Sequence, residues 1–463
     1  MNAESDPVIL AQKLALVQTL DDSQALAISD RLADLADDPD ETRSKKACAA
    51  IFSQVVEVWN DRFEPAGRQR YQRYFGRIVH RACLRQPTLS AVLQEDGLAD
   101  EKAFLARASA VAQTRAVVSA PKRILVPSRV TVGADVLLTS VLLQHLHRTW
   151  PQAQIILAGD AKLAGLFGGM DNLEIVPVSY QRRGPLSERL AAWLPLRQMV
   201  IDRQIEAVFN PDSRLDQLGL LPLGRQASYH LWQTLEPDPA HPKSLSEHLD
   251  AWCQTVLTSV SVTGGPIAPR LFFDEKTKAI AARLYPVLTA TPTLAVKLDF
   301  GGNDLKGLPQ EREVQILKAA QAKGWRLLLD RGFGAEELAR NEVLTKALGL
   351  PFADIDLDAP GTQLPNTPLI RATASIAAWA AALSGCHKAL AYDSAGHHLA
   401  AALDIPLVTI FTGHPHKNFP IAWQPRGRGQ IDLVIIPTEE RAKTQHVQTV
   451  LDRLGAPIGT QKS

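Results

Sequence analysis

The sequence is short of several things, and each shortage narrows what it can be. Net charge is almost absent: 50 Lys and Arg stand against 49 Asp and Glu in 463 residues, a formal +1. There is no global field to gather nucleic acid, so nucleic acid is not expected as a partner. Cysteine is scarce. Cys48, Cys83, Cys253 and Cys386 lie far apart, with no C-x-x-C pair and no disulfide-dense spacing, which suits a reducing cytoplasm. No apolar run approaches the roughly 20 residues that span a bilayer. The opening MNAESDPVILAQKLAL is polar and acidic where a secretory signal would be basic. A cytoplasmic protein is expected, with room for peripheral contact at the inner membrane face.

What is there is core-forming material. Apolar residues make up 46% and charged residues 21%, enough for two large domains and an extra module. Residues 1–116 lack strand-like alternation and read as an all-α N-terminal module, broken near Asp37 to Asp40, Pro65 to Gly67 and Pro87. Within it Arg70, Arg73, Arg77 and Arg81 form one helical stripe, with Tyr71, Tyr74, Phe75, Ile78 and Ala82 on the other side. The stripe reads either as a peripheral membrane or protein contact, or as a solvated face that pairs with the acidic stretch before it.

From Pro121 the pattern changes. KRILVPS, AQIILAG, LEIVPV and IEAVFN read as strands with helical stretches between, which predicts a Rossmann-like, doubly wound parallel sheet over residues 117–268. Asp135 follows the first strand, where a carboxylate is either a functional group or a helix N-cap. The stretch FNPDSRLDQLGLLP after the fourth strand concentrates polar groups, and Asp212 and Arg214 are candidate acceptor contacts. Loops closing βα units are also polar without a catalytic reason. Clustered prolines, a TGGP turn at Thr263 to Pro266 and a helix around Glu275 to Leu288 suggest a linker.

A second α/β alternation is expected over residues 269–437, followed by a C-terminal helix and tail over 438–463 that could pack back across the interdomain region. TLAVKLD and WRLLLD are strands; GGNDLKGLP after the first carries Lys306, placed to reach phosphate. The stretch 388–411 reads as strand, tight turn, helix, strand. Asp393, Ser394, Ala395 and Gly396 form a small-residue turn, and a helix opening there with unpaired amides is an anion site. The plainer reading is a βα turn capped by Asp393. Thr412 and Gly413 follow the second strand and could line the same pocket. His397, His398, His414 and His416 have no carboxylate or cysteine at a recognisable ligand spacing, so no metal is expected.

The run DSAGHHLAAALDIP resembles the signature of glycosyltransferase family 9, the ADP-heptose:lipopolysaccharide heptosyltransferases, with Ala395 and Gly396 where that family usually has Gly and Pro. RVTVGADVLLTSVLLQHLHRTWP is similar to the family's first turn and helix, with Ala134 as one extra residue. NDLKGLP and DRGFGAEE resemble two donor loops. The resemblance covers about residues 122–437 and implies a GT-B fold of two tandem Rossmann-like domains. It implies Asp135 as catalytic base, Lys306, Asp393, Ser394, Ala395, Gly396 and His398 about the donor diphosphate, and Glu336 or its neighbour Glu337 on the ribose. The expected activity is inverting, metal-independent transfer of a heptose-like sugar. The donor is a nucleotide diphosphate sugar and the acceptor a saccharide, glycolipid or protein, with no cofactor. Two other readings are a non-catalytic sugar-nucleotide-binding scaffold and a GT-B sugar-nucleotide epimerase.

Overall fold

The computed structural model describes residues 6–457 except 20, 118, 182–183, 225–226, 236–239, 258–264 and 300–302. Thr263 and Gly264 of the expected TGGP turn, and Gly301 and Gly302 of the expected glycine-rich loop, therefore lie outside the described residues. The chain forms two compact units. One holds residues 1–130, 142–161 and 172–265; the other holds 131–141, 162–171 and 266–463.

In the first unit the acidic breaks of the N-terminal region are helix starts. Asp6, Asp21, Asp40 and Asp100 each accept a backbone N–H from the first turn of the helix that follows, satisfying donors that a helix start leaves open. The arginine stripe is partly exposed and runs alongside acidic groups. Arg73 pairs with Asp22, Arg77 with Asp30 and Glu101, and Arg81 with Asp34, so three of the four arginines are met by acidic groups, mostly of the helix Asp22–Ala36. Behind the stripe, Trp59, Tyr71, Phe75 and Ile78 share one hydrophobic core with Leu125, Ile156 and Val208 of the sheet. Each such buried side chain contributes about 1.5–3 kcal/mol. The helices are built into the unit.

Its sheet comprises β1 (Arg123–Pro127), β2 (Gln154–Gly159), β3 (Leu173–Pro177), β4 (Ala207–Asn210) and β5 (Ser228–Leu231), all parallel, in the order β3-β2-β1-β4-β5. The first four strands lie where the sequence places them. β5 is unanticipated, as is the helix Leu245–Val256, which opens on a reciprocal cap between Ser244 and Glu247.

The second unit holds β6 (Thr293–Lys297), β7 (Arg326–Asp330), β8 (Phe352–Asp356), β9 (Leu369–Thr373), β10 (Lys388–Tyr392), β11 (Leu407–Phe411) and β12 (Ile431–Ile435). All are parallel, in the order β12-β11-β10-β6-β7-β9-β8. The chain winds one way from β6 and then returns to its other side with β10. This reversal opens a crevice beyond the carboxyl ends of β6 and β10, the place where open α/β sheets hold ligands. The last helix, Gln445–Leu454, buries Val447, Val450, Leu451 and Leu454 in this sheet's own core. Among the described residues no helix is long and apolar enough to cross a membrane.

Candidate active site

The crevice between β6 and β10 gathers most of the residues singled out from sequence. β10 ends at Tyr392, and after two intervening residues the helix Ala395–Ala402 begins. The cap of that helix is Ser394, whose hydroxyl accepts the Gly396 N–H at 3.3 Å and donates to Asp299 at 3.2 Å. The expected alternative, Asp393, is not the cap. Its carboxylate takes the ammonium of Lys306 at 2.6 Å. Gly396 is needed for packing: a Cβ there would lie 2.5 Å from Cδ of Lys297. Lys297 closes β6, is buried, and pairs with Asp330 and with Asp299. Burial works against its charge, but Asp299 and Asp330 outweigh that and raise its pKa.

Lys306 sits in a short turn, Asp304–Lys306, fixed from three sides. Asn303 accepts the Leu305 N–H, Arg441 donates to the carbonyls of Asp304 and Gly307, and the Leu308 N–H donates to the Tyr392 hydroxyl. The segment after β11 backs the same turn. Gly413 has φ +62, and a Cβ there would lie 2.3 Å from the Leu305 carbonyl, so this close approach requires glycine. Beside it Thr412 is buried with a hydroxyl that has no hydrogen-bond partner among the described residues.

His397 and His398 are buried within the helix, their rings 4.0 Å apart. His397 Nδ1 meets the Thr409 hydroxyl at 2.9 Å, while His398 Nδ1 has no partner among the described residues. Burial, then Lys306, lowers the His397 pKa to about 3, and burial lowers that of His398 well below the usual imidazole range. Both rings are neutral at working pH. Positive charge at this turn comes from Lys306 and the helix amides.

Asp135 is 1% exposed and lies inside the helix spanning residues 132–149, at the start of a wide π-type turn, Asp135–Thr139. It is therefore not the N-cap, a position held by Thr131. Its carboxylate accepts the Thr139 hydroxyl at 2.7 Å. A π turn closes over one more residue than an α turn, which accommodates the extra Ala134, and such turns concentrate at functional sites. Two residues earlier, a Cβ on Gly133 would lie 3.0 Å from His398 Cδ2 and 3.3 Å from Ala395 Cα. The segment carrying Asp135 thus abuts the head of the helix Ala395–Ala402.

Next to the turn is a cavity of about 450 Å³ whose walls include Lys297, Asp299, Asp304, Gly332, Glu336 and Arg340. Glu336 and Glu337 both fall in the first turn of the helix Ala335–Leu348. Glu337 accepts the Phe333 N–H at 2.8 Å, whereas Glu336 is exposed and makes no hydrogen bond or ion pair among the described residues. Arg340 is held by Glu313 and by the Leu298 carbonyl. Lys297, Asp299 and Gly133 were not selected from sequence. The only signal for the first two was their place at the end of the TLAVKLD strand.

The proposed acceptor pair lies in the first unit. Asp212 is 2% exposed, with φ +65, at ion-pair distance from Arg68 (2.8 Å) and Arg129 (3.7 Å), and it accepts the Thr234 N–H. Burial would raise its pKa, but Arg68, Arg129 and Thr234 outweigh it and the carboxyl is held below its usual range. Its carboxylate ties the N-terminal helices to the sheet, not to a cleft mouth. Arg214 is half-buried, and its guanidinium makes no hydrogen bond or ion pair among the described residues.

Residues 303–452 match the family model described as Glycosyltransferase family 9 (heptosyltransferase). A glycosyl transferase of family 9 from Veillonella parvula superposes with a TM-score of 0.52 at 16% identity, covering 73% of this chain and 97% of that one. E. coli heptosyltransferase WaaC with ADP aligns at 17% identity over 72% of this chain and all of that one, with a TM-score of 0.49. E. coli ADP-heptose lps heptosyltransferase II aligns at 16% identity over 72% and 98%, with a TM-score of 0.48. No curated protein sequence matches the chain. The fold is that of GT-B enzymes, two doubly wound α/β domains in tandem with helices at the N-terminus.

Proposed function

We propose that this chain, whose residues 303–452 form a glycosyltransferase family 9 domain, is an inverting transferase. It moves a heptose-like sugar from a nucleoside diphosphate to a hydroxyl of a saccharide or glycolipid. The observation that carries the reading is the packing of Gly133 on Ala395 and His398. It sets the carboxylate-bearing segment against the helix head best suited to an anion. The related structures named for ADP-heptose and for ADP make ADP-heptose the first donor to test.

In this reading Asp135 takes the proton of the acceptor hydroxyl as its oxygen attacks the anomeric carbon. The bond to the diphosphate breaks on the opposite face, so configuration inverts. Lys306 and the amides at the head of the helix Ala395–Ala402 meet the charge that develops on the leaving diphosphate, and no metal is needed. The Asp393 carboxylate holds the Lys306 ammonium in place until the diphosphate competes for it. His398 acts as a packing wedge under Gly133. Thr412 offers a hydroxyl that has no hydrogen-bond partner among the described residues, and Glu336 accepts from the ribose hydroxyls. Of the two acceptor candidates only Arg214 keeps that part, because Asp212 is committed to Arg68. Arg73, Arg77 and Arg81 of the stripe are committed to acidic partners, so no membrane contact is assigned to it. The setting is cytoplasmic, where nucleotide sugars and free thiols are found.

A thermal-shift panel of nucleotide diphosphate sugars, followed by measurement of released nucleoside diphosphate with and without saccharide acceptors, tests the reading. A selective donor shift and acceptor-dependent release are expected. Conversion of the donor without an acceptor would make the chain an epimerase. Binding without turnover under any acceptor would make it a binding protein.

A further inference from the structure

We infer that the N-terminal helices set the loop that meets the acceptor, with Tyr71 and Arg107 as positioning residues, an inference that rests on the function proposed above. The loop runs between β4 and β5, leaves the carboxyl end of β4 and carries Arg214. The helices lie outside the residues that match the family model, and nothing in that match gives them a part in transfer.

The loop is held in a shape that its own backbone disfavours. Gln217, Leu218 and Gly219 follow one another with φ of +53, +56 and +84. Left-handed backbone is unfavourable for a residue with a Cβ and persists where the surroundings impose it. Here the helices impose it. The Tyr71 hydroxyl donates to the Gln217 carbonyl at 3.1 Å, Arg68 donates to that of Leu218 at 2.9 Å, and one Arg107 nitrogen donates to those of Gly219 and Leu220 at 2.6 and 3.1 Å. Four successive carbonyls thus each take a side-chain donor from residues 65–85 or from the helix Glu101–Val111. Arg68 and Tyr71 are buried, so water does not compete for their bonds.

From these carbonyls the grip reaches Arg214 directly. Gln217, whose carbonyl Tyr71 holds, donates its backbone N–H at 3.3 Å and its side-chain amide at 2.9 Å to the Arg214 carbonyl. On the other flank Asp212 is fixed by Arg68 and the Thr234 N–H, and the Ser213 N–H donates to the Asn210 side chain at 2.6 Å. Asp216 ties the loop from within, accepting from Asn210, Tyr229 and the Gly219 N–H. The backbone on both sides of Arg214 is therefore fixed, while its guanidinium makes no hydrogen bond or ion pair among the described residues. A cation kept for a ligand on a fixed backbone, at the carboxyl end of a parallel sheet, is placed for recognition.

The helices share one core with the sheet, so the test uses point variants of the full-length chain and no truncation. Tyr71→Phe removes one hydroxyl, Arg107→Met removes both bonds of one guanidinium, and Arg107→Lys keeps the cation. Each is assayed with ADP-heptose as donor and with lipopolysaccharide, intact and stripped of its acyl chains, as acceptor. A thermal melt and amide hydrogen exchange over residues 213–221 accompany the kinetics. Arg107→Met quickens exchange in the loop and raises the acceptor KM about tenfold, with kcat and the donor KM within about twofold of wild type. Tyr71→Phe does the same to a smaller degree, and Arg107→Lys recovers most of the loss. Variants that melt lower but keep both KM values, or that raise donor and acceptor KM equally, overturn the inference and leave the proposed function standing. Wild type that transfers heptose to neither acceptor overturns both.

Discussion

Gly133 and His398 are in van der Waals opposition: a methyl group on Gly133 would approach the imidazole Cδ2 to 3.0 Å, and Ala395 Cα to 3.3 Å. The ring is buried. The first turn of one helix and the head of another are therefore set by a residue without a side chain.

Gly133→Ala should push the segment bearing Asp135 by a few tenths of an ångström while costing little stability. Turnover falls about tenfold, since small misplacements of reacting groups are expensive, and donor affinity changes little. Steady-state kinetics beside a thermal melt checks it; unaltered turnover would show that the contact does not position Asp135.

Lys306→Met removes the cation next to Asp393. A charge-assisted hydrogen bond contributes about 1.5–3 kcal/mol, so nucleoside diphosphate binding weakens by roughly ten- to a hundredfold. A nucleoside monophosphate, which lacks the terminal phosphate, loses less. Equal losses for the two ligands in calorimetry would move Lys306 away from the diphosphate.

Arg68→Met leaves Asp212 buried beside the more distant Arg129. Breaking one side of a buried pair costs about 3–5 kcal/mol, so the melting temperature drops clearly, and with it the attachment of the N-terminal helices. A melt within one degree or so of wild type would contradict this placement of Asp212.

Asp216 supplies a pH dependence. Burial pushes its carboxyl up to about 6, against hydrogen bonds from Tyr229, Asn210 and the Gly219 amide. The folded chain thus holds a proton that the unfolded chain releases, and this group's contribution to stability falls as pH rises between about 4 and 6, then levels off. Denaturant titrations across that window should show a shallower fall for Asp216→Asn than for wild type. Parallel curves would mean that the carboxyl titrates normally.

Much of this architecture was legible because parallel strands buried on both faces appear as short apolar runs, as in KRILVPS and WRLLLD. The strands that escaped lack that signature. β8, FADID, alternates at a sheet edge with exposed acids, and β9, LIRAT, buries Arg371 against Asp354. Neither was read as a strand. The turn at Asp393 was visible from its small residues, but which side chain caps it depends on Lys306, which arrives from another loop. Asp212 was misjudged for a related reason: its loop looks like a solvent-facing polar edge until Arg68 reaches it. That arginine also bonds the carbonyl of Leu218, 150 residues along the chain. Contacts of that range leave no local pattern.

The most direct test of the central claim is Asp135→Asn assayed in parallel for donor binding and for sugar transfer. The amide keeps the shape of the carboxylate and can still accept from Thr139, but it cannot take a proton. Donor affinity should remain within about twofold, while turnover falls by roughly 10²–10⁴. Turnover at the wild-type rate, with the donor still bound, would contradict the assignment of Asp135 as the base.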